Sequence, residues 1–183
     1  AGPAIAASGD GEIILQTQAL STVGGLHEVD LTLRAGQVVG LAGLMGSGRS
    51  ELARALYGID KITGGTVLVD GKPVSITSPA QALEHGICLI PEDRRQQGLI
   101  LDHSVTANLA LPHLDDVLSG PFVDDKAVTS LVRRLIETFG IKVADPSAPT
   151  KLLSGGNQQK IVIAKWISRQ PRVLIMDEPT AGV

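Results

Sequence analysis

Short stretches of alternating apolar and polar residues take turns with longer stretches of helical spacing along this chain, a mixture of periods that predicts an α/β or mixed architecture. Strands are predicted at 12–18, 27–34, 37–42, 66–70, 87–90 and 172–177. Leu31 and Leu33 alternate with Thr32 and Arg34, as in a strand with one wet face. Val38-Val39 and Val173-Leu174-Ile175-Met176 are continuous apolar runs, which predicts strands covered on both faces. Asp70-Gly71 signals a tight hairpin between two short strands.

Helices are marked by their ends. Ser78-Pro79 sets an N-cap before a proline at the first helical position. Over 122–139, Val128, Leu131, Val132, Leu135, Ile136 and Phe139 keep the i, i+3, i+4, i+7 spacing of one buried face. Asp124 and Asp125 sit at its start, where carboxylates suit the helix dipole, and Gly140 ends it. The stretch of about 102–149 is mainly helical and separates two strand-bearing regions, so a helical subdomain is expected there. Residues 1–11 are small and rich in Gly and Ala, and read as a linker ahead of a single domain at 12–183. The chain lacks an initiator Met and stops at Val183 just after an informative motif, so both ends are expected to continue in a longer polypeptide.

Composition adds exclusions. With 43% apolar and 19% charged residues, the 183-residue chain has the balance of one globular domain. Aromatics are only 2%, so the core must be aliphatic. A net charge of −3 offers no electrostatic reason for a nucleic-acid partner. The single cysteine, Cys88, excludes an internal disulfide. No run approaches the roughly 20 apolar residues of a membrane helix.

Three motifs carry chemistry. Gly43-Leu44-Met45-Gly46-Ser47-Gly48-Arg49-Ser50 follows an apolar run and opens a helical pattern, the context a phosphate-binding loop requires. Its glycines let the backbone wind closely round phosphate, with N–H groups inward and a helix N-terminus adding partial positive charge. Ser50 stands where a hydroxyl ligates Mg²⁺. Arg49 stands where such loops carry lysine, and a planar, forked guanidinium is not the compact point charge that fits between phosphates. Nucleotide binding is therefore expected here, and fast hydrolysis is not assured. The second motif, Val173 to Thr180, is an apolar strand ending in two acids: Asp177 for the Mg²⁺ shell and Glu178 to polarise an attacking water. A core strand running into a polar turn has the same pattern. The third, Leu153-Ser154-Gly155-Gly156-Asn157-Gln158-Gln159-Lys160, resembles the ABC signature and precedes the acidic strand, as in that family. Ser154 reads as an N-cap, and Ile161, Ile163, Ala164, Trp166 and Ile167 as a largely buried helix behind it.

On these motifs, together with Pro91-Glu92-Asp93-Arg94-Arg95-Gln96-Gln97-Gly98-Leu99, the chain resembles the second nucleotide-binding domain of monosaccharide ABC importers of the ribose, galactose and xylose type. The similarity runs from about Ile13 to the last residue. It implies a P-loop NTPase of the ABC ATPase type: a mixed sheet core, an antiparallel β subdomain and a helical subdomain. It implies ATP and Mg²⁺ as cofactors, with Gly43, Leu44, Met45, Gly46, Ser47, Gly48, Arg49 and Ser50 on the nucleotide and Ser50 and Asp177 on the metal. Ser154, Gly155, Gly156 and Gln158 face the nucleotide held by a partner domain, fused or dimeric. Glu178 and Glu92 are the implied catalytic carboxylates; Glu92 takes the place of a loop glutamine that senses the γ-phosphate. Further implied partners are permease subunits, at the cytoplasmic face of a membrane, and through them an extracytoplasmic sugar-binding protein.

No aromatic residue precedes Tyr57, so Leu20 or Val23 is expected to pack the base. The switch histidine is expected beyond Val183, and His27, His85, His103 and His113 read as surface or loop residues. The isolated polypeptide is expected to be weak or inactive. A nucleoside or autoinducer importer remains open, as do a DNA-repair or chromosome-organising ATPase and a non-hydrolysing, nucleotide-gated regulatory domain.

Overall fold

The computed structural model describes residues 4–6, 11–44 and 46–178. Met45, one of the expected phosphate-loop residues, lies outside them, as does the expected interface loop at 181–183. Two compact units emerge: one gathers the chain up to Leu89 together with Arg172–Asp177, and the other begins at Ile90 and runs to Pro171.

In the first unit, β1 (Ala4–Ala6) falls within the segment read as a linker and pairs antiparallel with β4 (Val39–Leu41). Strands β2 (Ile13–Thr22), β3 (Val29–Arg34), β5 (Ile62–Val69) and β6 (Lys72–Val74) make an antiparallel sheet in the order β3-β2-β5-β6. Asp70-Gly71 turns the β5–β6 hairpin with both residues at positive φ, 52° and 72°, which suits the strand twist. Leu15, Leu20, Leu31 and Val67 turn inward from the sheet onto Leu52, Ala55 and Leu56 of α1 (Arg49–Leu56). The core is aliphatic, as the composition requires.

The sheet is not regular. Register shifts on both sides of Ala19, which sits at φ 49°. Beside the shift, the buried Thr17 hydroxyl donates to the Val29 carbonyl at 2.8 Å and accepts from the Leu31 amide at 2.8 Å. It supplies bonds the ladder lacks there. Thr17→Val keeps the shape but strips a buried amide and carbonyl of their partner, so a loss of about 2 kcal/mol is expected in urea unfolding. An unchanged midpoint would mean that water reaches these groups.

The remaining strands of this unit correct the sequence reading. Val38 is 85% exposed and β4 is only half-buried, so Val38-Val39 is not covered on both faces. In β10 (Val173–Met176) only Val173 is fully buried, and Met176 is exposed. The doubly covered strand is β7 (Ile87–Ile90), buried at all four positions and paired with β10. An apolar run shows that a strand can be buried, not how many layers cover it. Helix α2 (Pro79–Glu84) leads into β7, with the Ser78 hydroxyl accepting from the Gln81 amide at 3.4 Å. The carbonyl of Gly86 takes the amides of Arg172 and Val173 at 2.9 and 3.1 Å, and Arg172 forks onto both oxygens of Asp70.

The second unit is helical. A π turn at Arg94–Gly98 is followed by α3 (Val105–Ala110), a 3-10 segment at Leu111–Val117 and a small hairpin of β8 (Leu118–Ser119) and β9 (Phe122–Val123). Then come α4 (Asp125–Phe139), a 3-10 turn at Thr150–Leu152 and α5 (Gly155–Ile167). α3 packs on both α4 and α5. The helix expected from 122 begins only at Asp125, because Asp124 caps it, accepting from the amides of Lys126 and Ala127 at 2.8 and 3.2 Å. Leu131, Val132 and Leu135 face inward, and Gly140 ends the helix in the left-handed conformation.

One histidine departs from expectation. His113 is only 4% exposed, with Nδ1 3.0 Å from Asp116 and Nε2 2.8 Å from the Ser168 hydroxyl. Arg169 also bonds Asp116, at 2.8 Å, so the histidine ties the 3-10 segment to the end of α5. The imidazole and guanidinium together hold the Asp116 carboxyl below its usual range, the His113 hydrogen bond contributing most.

Candidate functional site

In the first unit the phosphate loop joins β4 to α1. Gly46 and Gly48 hold φ of 79° and 90°, backbone that favours glycine. A Cβ on Gly48 would lie 2.7 Å from Leu26 Cδ2, so that side chain would have to shift to admit one. Gly48 is the N-cap of α1 and offers no side chain to its first amides. The Ser47 amide closes a turn on the Leu44 carbonyl at 3.0 Å, while its hydroxyl oxygen is buried and has no hydrogen-bond partner among the described residues. An unmatched buried hydroxyl at the mouth of an uncapped helix is the arrangement a ligand oxygen completes. Gly43 and Leu44 are exposed, and Arg49 and Ser50 are half-buried in the first turn of α1.

Asp177 follows β10 in the same unit and is half-buried. Arg54, on α1, has its guanidinium raised above the usual range chiefly by its hydrogen bond to Asp60, with a smaller contribution from the charge of Asp177. The carboxylate of Asp177 is thus within electrostatic reach of α1. No cluster of three or more His, Cys, Asp or Glu side chains gathers among the described residues. A hydroxyl and one carboxylate are the hard oxygen donors that suit Mg²⁺, which takes one or two protein ligands and completes its shell with water and phosphate. Ser50 and Asp177 fit that role. The next residue, Glu178, is exposed and holds φ 43°, a left-handed conformation uncommon for glutamate.

In the second unit Glu92 is exposed, and Asp93 caps the π turn by accepting from the amides of Arg95 and Gln96 at 2.9 and 3.0 Å. Ser154 occupies the N-cap position of α5, but its hydroxyl makes no bond to a helix amide. It accepts instead from the Asn157 side chain at 3.0 Å. Ser154 and Gly156 are exposed, and nothing lies within 4 Å of where a Gly156 Cβ would stand. The helix therefore presents open backbone amides and its partial positive charge to solvent.

Gln158 lies on the inner side of the helix. It is 3% exposed, and its amide nitrogen donates to the carbonyls of Thr150 and Leu153, both at 3.2 Å. Its side-chain donor shapes the loop before α5. The period explains this: four residues on from Ser154, it begins the buried face that continues at Ile161 and Val162. The two aliphatic residues expected near a base also separate, since Leu20 is fully buried in the sheet core and Val23 is 72% exposed.

Two features escaped the sequence reading. Lys165 lies on the buried face of α5 and is 6% exposed, with Nζ donating to the Gly98 carbonyl at 2.5 Å and lying 5.4 Å from the Trp166 ring centroid. Burial lowers its pKa to about 8. Asn108 is buried in α3, where its carboxamide accepts from the Ile100 amide at 2.9 Å and donates to the Thr150 hydroxyl at 3.0 Å. No spacing rule announces a buried polar residue; a lysine inside an otherwise apolar helix stripe is the one visible hint.

The sequence pattern of the ABC transporter family matches residues 26–181. The chain belongs to the ABC transporter family. Among curated proteins, this ABC domain is 47% identical over 173 residues to the ribose import ATP-binding protein RbsA of Geobacillus kaustophilus, covering 94% of the chain and 35% of that protein. It is 45% identical over 172 residues to the RbsA of Lactococcus lactis subsp. cremoris, with the same coverage, and 42% identical over 173 residues to that of Bacillus subtilis. The chain thus spans about a third of the length of the curated relatives it matches, 35% in each of these cases. Among solved structures, a nucleotide-free ATP-binding cassette from an ABC transporter superposes with a TM-score of 0.75 at 22% identity, over 93% of this chain and 71% of that one. cbiO1 of Clostridium perfringens, part of an ABC transporter complex, superposes with a TM-score of 0.71 at 26% identity, over 94% and 68%. The expected class, a mixed α/β ABC ATPase fold with an antiparallel sheet and a helical part, is the one observed.

Proposed function

We propose that this ABC domain binds Mg-ATP and powers import of a simple sugar, working head to tail with a second ATPase domain against permease subunits at the cytoplasmic face of a membrane. The observation that carries the reading is a contrast among helix starts. α2, α3 and α4 are capped by the side chains of Ser78, Ser104 and Asp124. α1 and α5, each opening on a glycine-rich motif, have no side-chain cap. No N-cap side chain competes for these helix starts, and phosphate oxygens are the acceptor such helix ends favour.

In this reading Gly43–Ser50 cradles the phosphates, with the Ser47 hydroxyl as one donor, and Ser50 and Asp177 hold Mg²⁺. The ion would neutralise phosphate charge as it develops. Glu178 and Glu92 are assigned as catalytic carboxylates from their motifs, one to orient water and one to sense the terminal phosphate. Ser154, Gly155 and Gly156 complete the site of the partner domain. Val23, the exposed one of the two aliphatic candidates, packs the base. The resemblance to ribose import proteins supports a sugar as cargo.

Arg49 and Glu92 make the domain's own site the slower of the pair. In the full-length subunit reconstituted with its permease, Arg49→Lys is expected to raise ATP turnover about threefold to tenfold with little change in KM. An unchanged or lower kcat would place the rate limit elsewhere. ATP binding without any hydrolysis by the complete assembly would favour the regulatory reading instead.

A further inference from the structure

The second unit holds two elements that the proposed function gives to nucleotide: Glu92, just before the π turn at Arg94–Gly98, and the open N-terminus of α5. Both are exposed, and each is tied to a buried support. Gly98 and Leu99 are buried, and the last carbonyl of the π turn is met by Lys165 from α5. Lys165 lies ten residues along from Gly155, about 15 Å at the helical rise, so it is remote from the open start of α5. A buried ammonium is costly unless its protons are matched, and an aliphatic residue of similar length would pack there without that cost. Its presence points to a role other than filling the core.

A second tie runs beside the first. Asn108 holds both polar groups of the Ile100 backbone, its amide and its carbonyl each at 2.9 Å, and bonds the Thr150 hydroxyl. The Thr150 carbonyl in turn accepts from the side-chain Nε2 of Gln158 at the start of α5. Residues 98–100 are therefore fixed to α5 at two points, near its first turn through Asn108, Thr150 and Gln158, and near its last through Lys165.

We infer that Lys165 is a positioning residue that clamps the Glu92 segment to the signature helix, so that the element serving this domain's nucleotide and the element serving the partner's shift together. The inference rests on the ATPase reading for its functional consequence, but the clamp itself is a property of the chain. Cutting the clamp leaves both elements in place and uncouples them.

The test uses the full-length subunit assembled with its permease. Lys165→Met keeps length and burial and removes the donor; Lys165→Arg keeps a donor. Hydrogen exchange without nucleotide is expected to quicken at least tenfold in Lys165→Met at the Gln97–Leu99 amides, with a lower melting point because the buried Gly98 carbonyl loses its donor, and to stay near parental in Lys165→Arg. In the same preparations, ATP turnover falls about tenfold in Lys165→Met with KM for ATP within twofold, and Lys165→Arg restores it to within threefold. A merely structural lysine lowers the melting point but leaves kcat parental at permissive temperature, and parental kcat there overturns the inference. Parental exchange in Lys165→Met also overturns it. If the parent assembly has no ATPase, the ATPase reading fails while the exchange comparison still decides the clamp. Lys165→Gln, polar but too short to reach Gly98, gives the same readouts should Lys165→Met not fold.

Discussion

Replacing Ser154 by arginine in the full-length subunit is expected to lower transport-coupled ATP hydrolysis by about 100-fold or more, while ATP binding at this chain's own phosphate loop persists. The magnitude is that of losing one well-aimed donor from a preorganised charge-stabilising site. The start of α5 suits that role because Ser154 and Gly156 are exposed and the first amides are uncapped. An arginine there fills the approach to those amides, where the proposed partner-held phosphate would come close. The fold should tolerate the change, since among the described residues the Ser154 hydroxyl bonds the side chain of Asn157, itself half-buried. ATPase assays in proteoliposomes, alongside equilibrium binding of an ATP analogue, separate the two effects. Turnover within threefold of the parent would remove the signature from the mechanism.

Gly65→Ala is expected to cost about 3 kcal/mol of stability. Gly65 sits at φ 80° opposite the register shift in β2, and an added Cβ would lie 2.4 Å from the carbonyl oxygens of both Gln18 and Ala19. These are backbone atoms inside a hydrogen-bonded sheet, so they cannot swing aside as a side chain would. Gly71 provides the control, because it holds φ 72° with nothing within 4 Å of the added carbon. Gly71→Ala should cost only the conformational strain, about 1 kcal/mol. Urea unfolding of both variants isolates the steric part as the difference, and equal losses would show that the bulge relaxes to make room.

Legibility from sequence followed locality. Ser78-Pro79, Asp70-Gly71, Asp124 and Gly140 act on their own neighbours within a few residues, and each does in the structure what its chemistry predicts. The three chemical motifs are likewise local, since a glycine loop and the helix behind it define one another. What stayed hidden depends on distant chain. Whether Val38 or Ile87 lies under two layers depends on which strands pair with it, and the same apolar spelling serves both. His113 reads as a surface residue until Ser168, 55 residues later, is brought against it. A motif names residues without saying which way each one faces on the helix, and the inward face of Gln158 comes only with the structure. Lys165 and Asn108 are visible in sequence only as polar residues in apolar company; their partners at Gly98 and Ile100 come from packing.

The pairing of β7 with β10 has a bearing on biosynthesis. β7 is buried at all four positions, yet its partner strand begins at Val173, about 80 residues further along the chain. At the usual pace of translation, about 5–20 residues per second, β7 leaves the ribosome roughly 4–16 seconds before β10 can join it. During that interval an apolar strand with an unpaired edge is open to chaperones or to other nascent chains. The helical unit encoded between them must therefore collapse quickly on its own short-range contacts, and synonymous or temperature-driven changes in elongation rate through this stretch should alter the yield of soluble protein more than equal changes downstream of β10.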